Sequence, residues 1–322
     1  MFFLLVKNKI IIYNSDMNKK FKFKKFIYAL APMAGVTDFA FREICSEFGA
    51  DMVVSEMISV KALEYNNART QKMLKENSSC LKSVQLFGHD PKSVAKVVSS
   101  DILDKFDIID FNCGCPAKKI VSNNDGSAMM RDINNTREVL QALRDNTNKP
   151  ISVKFRLGID EEINYIEFAK MCEDVGVDFL TLHARTREQG YSGQVDKNAY
   201  KTLIKSVNIP VIWSGDITCS KDVAYAKSIG CAGVMIGREA LGNPEIFSKL
   251  KHKKIIKTKQ EIVLQHLNNI REYFNNDEAT FSYFKKHLLW YLKNSPNVTE
   301  LRKQVCFSSN LDEMYEFIKN NI

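Results

Sequence analysis

The segment Asn112-Cys-Gly-Cys-Pro116 places two thiols either side of a glycine and ends in a proline. Gly114 and Pro116 favour a tight turn that would hold Cys115 at the edge of a site. A free thiol has a pKa of about 8.5, so at neutral pH it is mostly protonated and can give up a proton as well as attack. Lys118 and Lys119 follow closely and add positive charge, which favours thiolate character. An isolated CxC with no CxxC pair anywhere in the chain is not a structural zinc pattern, and no metal is expected. Farther along stand Lys154 and His183, each closing a short β-branched run. Two glycine-containing turns then follow, Ser214-Gly215-Asp216 and Gly237-Arg238.

These groups need elements to bring them together. Short β-branched runs alternate with longer amphipathic stretches, the pattern of parallel βαβ units. The runs lie at Phe26–Ala31, Met52–Glu56, Ser83–Phe87, Ile108–Asn112, Ile151–Phe155, Phe179–His183, Val211–Ser214 and Gly233–Ile236. Helical periodicity fills Phe39–Phe48, Pro91–Ser99, Thr136–Asn146, Tyr165–Val175, Asn198–Lys205 and Ser220–Ser228. Eight such strands predict a closed (β/α)₈ TIM barrel, a fold of about 250 residues. A doubly wound open sheet is the alternative, but the first strand–helix turn, Ala31-Pro-Met-Ala-Gly35, lacks a GxGxxG phosphate fingerprint.

A barrel exposes the C-terminal ends of its strands to its site. Those ends carry Met33, Glu56, Gln85, Asn112 with Cys115, Lys154, His183, Ser214-Gly-Asp216 and Gly237-Arg238. Nearly all are polar or ionisable, which a purely structural barrel does not require. The glycine turns after strands seven and eight lie where such barrels commonly bind phosphate. A flavin mononucleotide (FMN) fits this set, with Lys154 beside its ring to stabilise the anionic reduced form. A sugar-phosphate aldolase or isomerase is the other phosphate chemistry, with Lys154 as Schiff-base nucleophile or Glu56 as general base.

The net charge of +8 gathers at the ends: +6 over residues 1–35 and +5 over residues 246–322, leaving a slightly negative middle. Basic ends on a near-neutral body suit a polyanionic partner. After Pro244 the pattern becomes helical, at Gln260–Phe274, Phe281–Lys293 and Leu311–Ile318. Eight scattered cysteines do not form a secreted disulfide framework, and no apolar run is long enough to span a membrane. The expected location is cytoplasmic. Residues 1–25 read as an upstream start or a frayed basic extension, with Met17 as a second possible start and a targeting peptide as the alternative.

Together these motifs resemble the tRNA-dihydrouridine synthase family, most closely its bacterial B-type branch. The strings that carry the resemblance are Ala31-Pro-Met-Ala-Gly-Val-Thr-Asp38, Ser55-Glu-Met57, Val84-Gln-Leu-Phe-Gly88, Asn112-Cys-Gly-Cys-Pro-Ala-Lys-Lys119 and Gly126-Ser-Ala-Met-Met-Arg131. They continue in Val153-Lys-Phe-Arg-Leu-Gly158, Leu182-His-Ala-Arg-Thr-Arg187 running on to Gly193, Ile236-Gly-Arg-Glu-Ala240 and Lys286-His-Leu-Leu-Trp-Tyr-Leu-Lys293. The resemblance implies an FMN-binding barrel over residues 26–245 and a helical tRNA-binding domain over residues 246–322. Pro32, Met33, Ala34, Gln85, Lys154 and His183 would meet the flavin. Ser214, Gly215, Asp216, Gly237 and Arg238 would hold its phosphate.

Cys115 would be the proton donor. Asn112, Lys118, Lys119, Arg185, Arg187, Lys286 and Lys293 would serve the tRNA, with Lys286 and Lys293 two turns apart on one helical face. Two departures stand out: Cys113 replaces a common Met, and Ser214 a common Asn. The implied reaction reduces the C5–C6 double bond of a D-loop uridine, with NADPH or NADH as transient reductant. Another flavin-dependent barrel reductase and a non-enzymatic tRNA-binding protein are the competing readings.

Overall fold

The structure is a computed structural model that describes Ile11–Ile12 and residues 21–322 apart from Asn77, Glu161 and Asn294. Met17 lies outside the described residues. Eight parallel strands close into a barrel: β1 (Ile27–Leu30), β2 (Met52–Ser59), β3 (Leu81–Phe87), β4 (Ile108–Cys113), β5 (Ile151–Arg156), β6 (Phe179–His183), β7 (Val211–Ser214) and β8 (Gly233–Ile236). Each pairs with its chain neighbours, and β8 returns to β1 in the register Ile236↔Leu30. The closed barrel replaces the open-sheet alternative.

Side chains alternate across the strand. Val84, Ile109, Val153 and Leu182 point outward into the core shared with the surrounding helices. Leu81, Ile108, Phe179, Ile212 and Met235 point inward and fill the N-terminal end of the barrel. The register slips between Val54 and Met57, extending β2 three residues beyond the expected Glu56.

The tail contains helices Lys259–Phe274, Asp277–Tyr291, Val298–Phe307 and Leu311–Asn321. Val298–Phe307 escaped sequence periodicity because Val305 is its one fully buried residue. Packing divides the chain slightly later than residue 246: Ile246, Phe247 and Leu250 belong to the barrel's outer core. Conversely Phe39, Ala40, Ile44 and Phe48, from the helix after β1, join the tail's own core.

The described part of the N-terminal segment is not frayed. Phe21 is 6% exposed, stacks on Phe179 at 5.4 Å and meets Phe23 edge-on at 4.9 Å. These rings close the bottom of the barrel, and Lys25 pairs with Asp51 at 2.7 Å.

Candidate active site

At the opposite end the interior turns polar. The inward positions near the strand ends are Gln85 on β3, Asn112 on β4, Lys154 on β5, His183 on β6 and Ser214 on β7. The pairings Asn112↔Lys154 and His183↔Ser214 place them side by side around the mouth. A cleft of about 120 Å³ opens there, lined by Pro32, Met33, Lys154, His183, Tyr191 and the turns Ser214–Thr218 and Gly237–Glu239. Ala34, by contrast, is exposed outside the cleft lining.

The turns after β7 and β8 are built to present backbone N–H groups. Tyr200 donates to the Ser214 carbonyl at 2.7 Å, and the Trp213 indole donates to the Gly215 carbonyl at 2.8 Å. Those carbonyls are thereby occupied. The amides of Gly215, Asp216, Gly237 and Arg238 find no acceptor among the described residues. Asp216 and Gly215 have φ of 50° and 104°, which turns successive amides toward one concavity, a geometry suited to anions. A Cβ at Gly237 would sit 3.6 Å from Ala31 Cβ and Met33 Sδ, in the space this cradle leaves open. A phosphate-tailed cofactor such as FMN fits these residues.

The side chain of Asp216 does not serve as a phosphate ligand. It accepts from Arg185 at 2.5 Å and Arg238 at 2.7 Å, so it spans the two arginines. Arg185 itself corrects the expectation that it lies on the tRNA path. It is 1% exposed, and its guanidinium is consumed by Asp216, the Ser192 and Gly193 carbonyls and His183 Nε2. Burial and the surrounding lysine and arginines hold His183 neutral, far below the usual histidine range. Arg187 stays partly exposed.

Lys154 makes no ion pair among the described residues. Burial and the Arg156 charge push its pKa down to about 8, against the raising influence of Asp110 and Cys115. Arg156 ties the Cys115 turn to the loop after β6, donating to the carbonyls of Gly114, Thr186 and Gly190. That loop presents Tyr191, 59% exposed, beneath the Arg238 guanidinium at 5.0 Å. Tyr191 and Arg156 were not anticipated. An aromatic flanked by Gly190 and Gly193 was the available signal for the first.

Cys115 is half-buried and gripped from three directions. Its N–H donates to Asn112 Oδ1 at 2.9 Å, and its carbonyl accepts from Ser127 N–H at 3.1 Å. Gly126, at φ +61°, lies so close that a Cβ there would fall 3.0 Å from Cys115 Cβ. The neighbouring thiol separates cleanly: Cys113 is fully buried in the outer core, and burial pushes its pKa well up. Lys118 and Lys119 are exposed on the short helix that follows. Asn112 is buried, with its side chain engaged in holding the turn.

The tail reaches the mouth through helix Asp277–Tyr291. His287 Nε2 and Asp38 Oδ2 lie 3.0 Å apart in full burial. Burial alone would raise the Asp38 carboxyl, but the His287 hydrogen bond and charge hold it below the ordinary range. One residue away, Lys286 lies over the Tyr283 ring at 3.7 Å and approaches Gly35. Burial lowers its pKa, while Asp38 and Glu56 oppose the change. Lys286 and Lys293 do not form a shared stripe. The helix ends at Tyr291, and Lys293 instead lines an outer groove with Lys249 and Lys259. Tyr291 is core, facing His266, and Trp290 packs partly buried against the barrel.

Comparison with known proteins matches residues 29–321 to the family model described as dihydrouridine synthase (Dus). A tRNA-dihydrouridine synthase B from Vibrio vulnificus is 35% identical over 286 residues, covering 85% of this chain and 88% of the relative. A probable tRNA-dihydrouridine synthase from Rickettsia bellii is 36% identical over 289 residues, covering 86% and 88%. The tRNA-dihydrouridine synthase B of Proteus vulgaris is 33% identical over 304 residues, covering 90% and 93%. With barrel and tail both spanned by the match, the chain belongs to the dihydrouridine synthase family, in its B-type branch.

Proposed function

We propose that this protein reduces the C5–C6 double bond of a D-loop uridine in tRNA to 5,6-dihydrouridine, with FMN as resident cofactor and NADPH or NADH as reductant. The observation that carries the reading is the pairing of two features at the same end of the barrel. One is the cleft with unpartnered amides and Lys154, which makes no ion pair among the described residues; the other is a half-exposed thiol at Cys115, after the strand next to that of Lys154. When bound, FMN supplies the hydride that uracil C6 accepts.

The chain's own groups do the rest. The amides of Gly215, Asp216, Gly237 and Arg238, with the Arg238 guanidinium, hold the cofactor phosphate. Pro32, Met33 and Lys154 border the ring, and the Lys154 ammonium offsets negative charge that builds there. Neutral His183 offers a ring without competing for protons. Gln85, beneath the mouth, has one amide hydrogen still free to donate. Cys115 Sγ–H donates the proton that C5 takes up.

The target base cannot react while stacked, so it is splayed into the cleft, as single-stranded loops allow. Residues 26–245 hold the cofactor and residues 246–322 dock the tRNA. Lys118, Lys119, Arg187 and Lys293 meet phosphates, and Lys286 meets the nucleotide at the mouth. Phosphate contacts of this kind make affinity fall steeply with salt. A tRNA substrate fits a cytoplasmic location.

The purified protein is expected to be yellow or to become so with added FMN. It should also oxidise NADPH faster when given tRNA lacking dihydrouridine, which then gains the modified base. A colourless protein that takes up no FMN, or NADPH oxidation indifferent to tRNA, overturns the reading.

A further inference from the structure

Beneath the mouth, the inward layer of β3 to β6 carries Ser83, Asp110, Ser152 and Thr181. Asp110 is 1% exposed, and the mechanism above does not use it. Its Oδ1 accepts from Ser152 at 2.6 Å and its Oδ2 from Gln85 Nε2 at 2.7 Å. Gln85 Oε1 then accepts from Asn112 Nδ2 at 2.8 Å. Asn112 Oδ1 accepts in turn from the N–H groups of Gly114 at 3.2 Å and Cys115 at 2.9 Å. Two buried amide side chains, Gln85 and Asn112, thus link a carboxylate inside the barrel to the turn that presents the thiol.

The two ends of this chain fix its direction. An ionised carboxylate only accepts, and backbone N–H groups only donate. An amide can be turned either way, but turning either Gln85 or Asn112 here sets two donors or two acceptors face to face. In a buried site each such clash costs the desolvation of an unpaired polar group. Burial raises the Asp110 pKa to about 6, so it remains ionised at neutral pH, helped by Ser152, Gln85 and Lys154.

We propose that Asp110 is a positioning residue: through Gln85 and Asn112 it fixes the orientation of both amides and so the placement of the Cys115 thiol. The function of that placement rests on the reading of Cys115 as proton donor; the placement itself does not. Asp110 is buried and lies outside the cleft lining.

The test is the rate at which iodoacetamide alkylates Cys115 in the full-length, flavin-loaded protein, read on the Cys115 peptide by mass spectrometry. This excludes the exposed Cys219 and Cys306. Asp110→Ala and Gln85→Leu are each expected to change that rate at least about threefold, and the double variant no further, because linked residues are non-additive. Asp110→Asn keeps an oxygen for Gln85 and should stay within about twofold of the parent. With unmodified tRNA, Asp110→Ala should lose about tenfold in kcat while KM stays within about twofold. If Asp110→Ala does not fold, Gln85→Leu, which cuts the same chain one link nearer the thiol, carries the alkylation expectation by itself. Independent, additive effects, or an unchanged Cys115 rate in folded Asp110→Ala, overturn the proposal. A thiol that responds as expected in a protein that reduces no tRNA sinks the proposed reaction and leaves the relay standing.

Discussion

At the N-terminal ends of the strands, Phe21, Phe23 and Phe179 fill the barrel with aromatic rings 4.9 to 5.4 Å apart. At the C-terminal ends of the same strands, Gln85, Asn112, Lys154, His183 and Ser214 project into the same interior. The change takes place over two or three successive inward positions. On β6 the change runs from Phe179 through Thr181 to His183. Burial means opposite things at the two ends. At the bottom it removes apolar surface from water and stabilises the fold. At the top it desolvates ionisable groups and shifts them, as with Lys154 and His183. The barrel therefore keeps stability and chemistry on the same strands but at different heights, and substitutions should separate them.

The sharpest separation is expected at Cys115. Cys115→Ala removes a half-buried thiol from a turn held by backbone contacts, so the melting temperature should hold and flavin should still bind. Turnover on tRNA should fall by about 10²–10⁴-fold, the usual contribution of a positioned general acid. Full activity in this variant would remove the residue from the mechanism.

The bottom of the barrel should give the mirror image. Phe179→Ala leaves a void between Phe21 and Phe23 and should cost about 3–5 kcal/mol of unfolding free energy. Denaturant unfolding measures this, and turnover per folded molecule should be unchanged. A large activity loss with stability intact would mean that the two ends are not independent.

Gly126→Ala tests the boundary. The new methyl would lie 2.9 Å from the Cys115 carbonyl and from Ile120, on a backbone whose φ of +61° disfavours a side chain. Displacing the thiol by a fraction of an ångström should reduce kcat by up to about 10²-fold. Flavin uptake, assigned by the proposal to the turns after β7 and β8, should be retained.

Much of this was legible in the sequence because strand ends advertise themselves. Six of the eight strands start where β-branched runs predicted, since inward and outward positions on these buried strands are both apolar at the bottom. Cys115, Lys154 and His183 are visible as reactive residue types closing such runs. What stayed hidden depends on contacts distant in sequence. Arg185 and Arg187 look alike in Arg-Thr-Arg, yet one is swallowed by Asp216, 31 positions away. Lys286 and Lys293 share a helical period, but the helix stops between them. Asp110 reads as one polar residue in a strand, and only the packing of β3, β4 and β5 joins it to Cys115. The burial of Phe21 depends on a ring 158 positions downstream.

The smallest expected effect concerns Lys154. Its ammonium is destabilised by burial and by Arg156, and supported by Asp110 and Cys115. In flavin-free protein, the pH dependence of acetic anhydride labelling at Lys154, read on its peptide, should show a midpoint near 8. Asp110→Asn deletes a negative neighbour, which disfavours the charged amine, so the midpoint should move down, by less than about one unit at this partial distance. If the ammonium is the form that supports reduction, activity should decline as pH rises through the same midpoint, and earlier in the variant. A lysine titrating at its ordinary value would mean that water reaches it freely. The difference between the two ends of the barrel would then lie in shape alone and not in solvation.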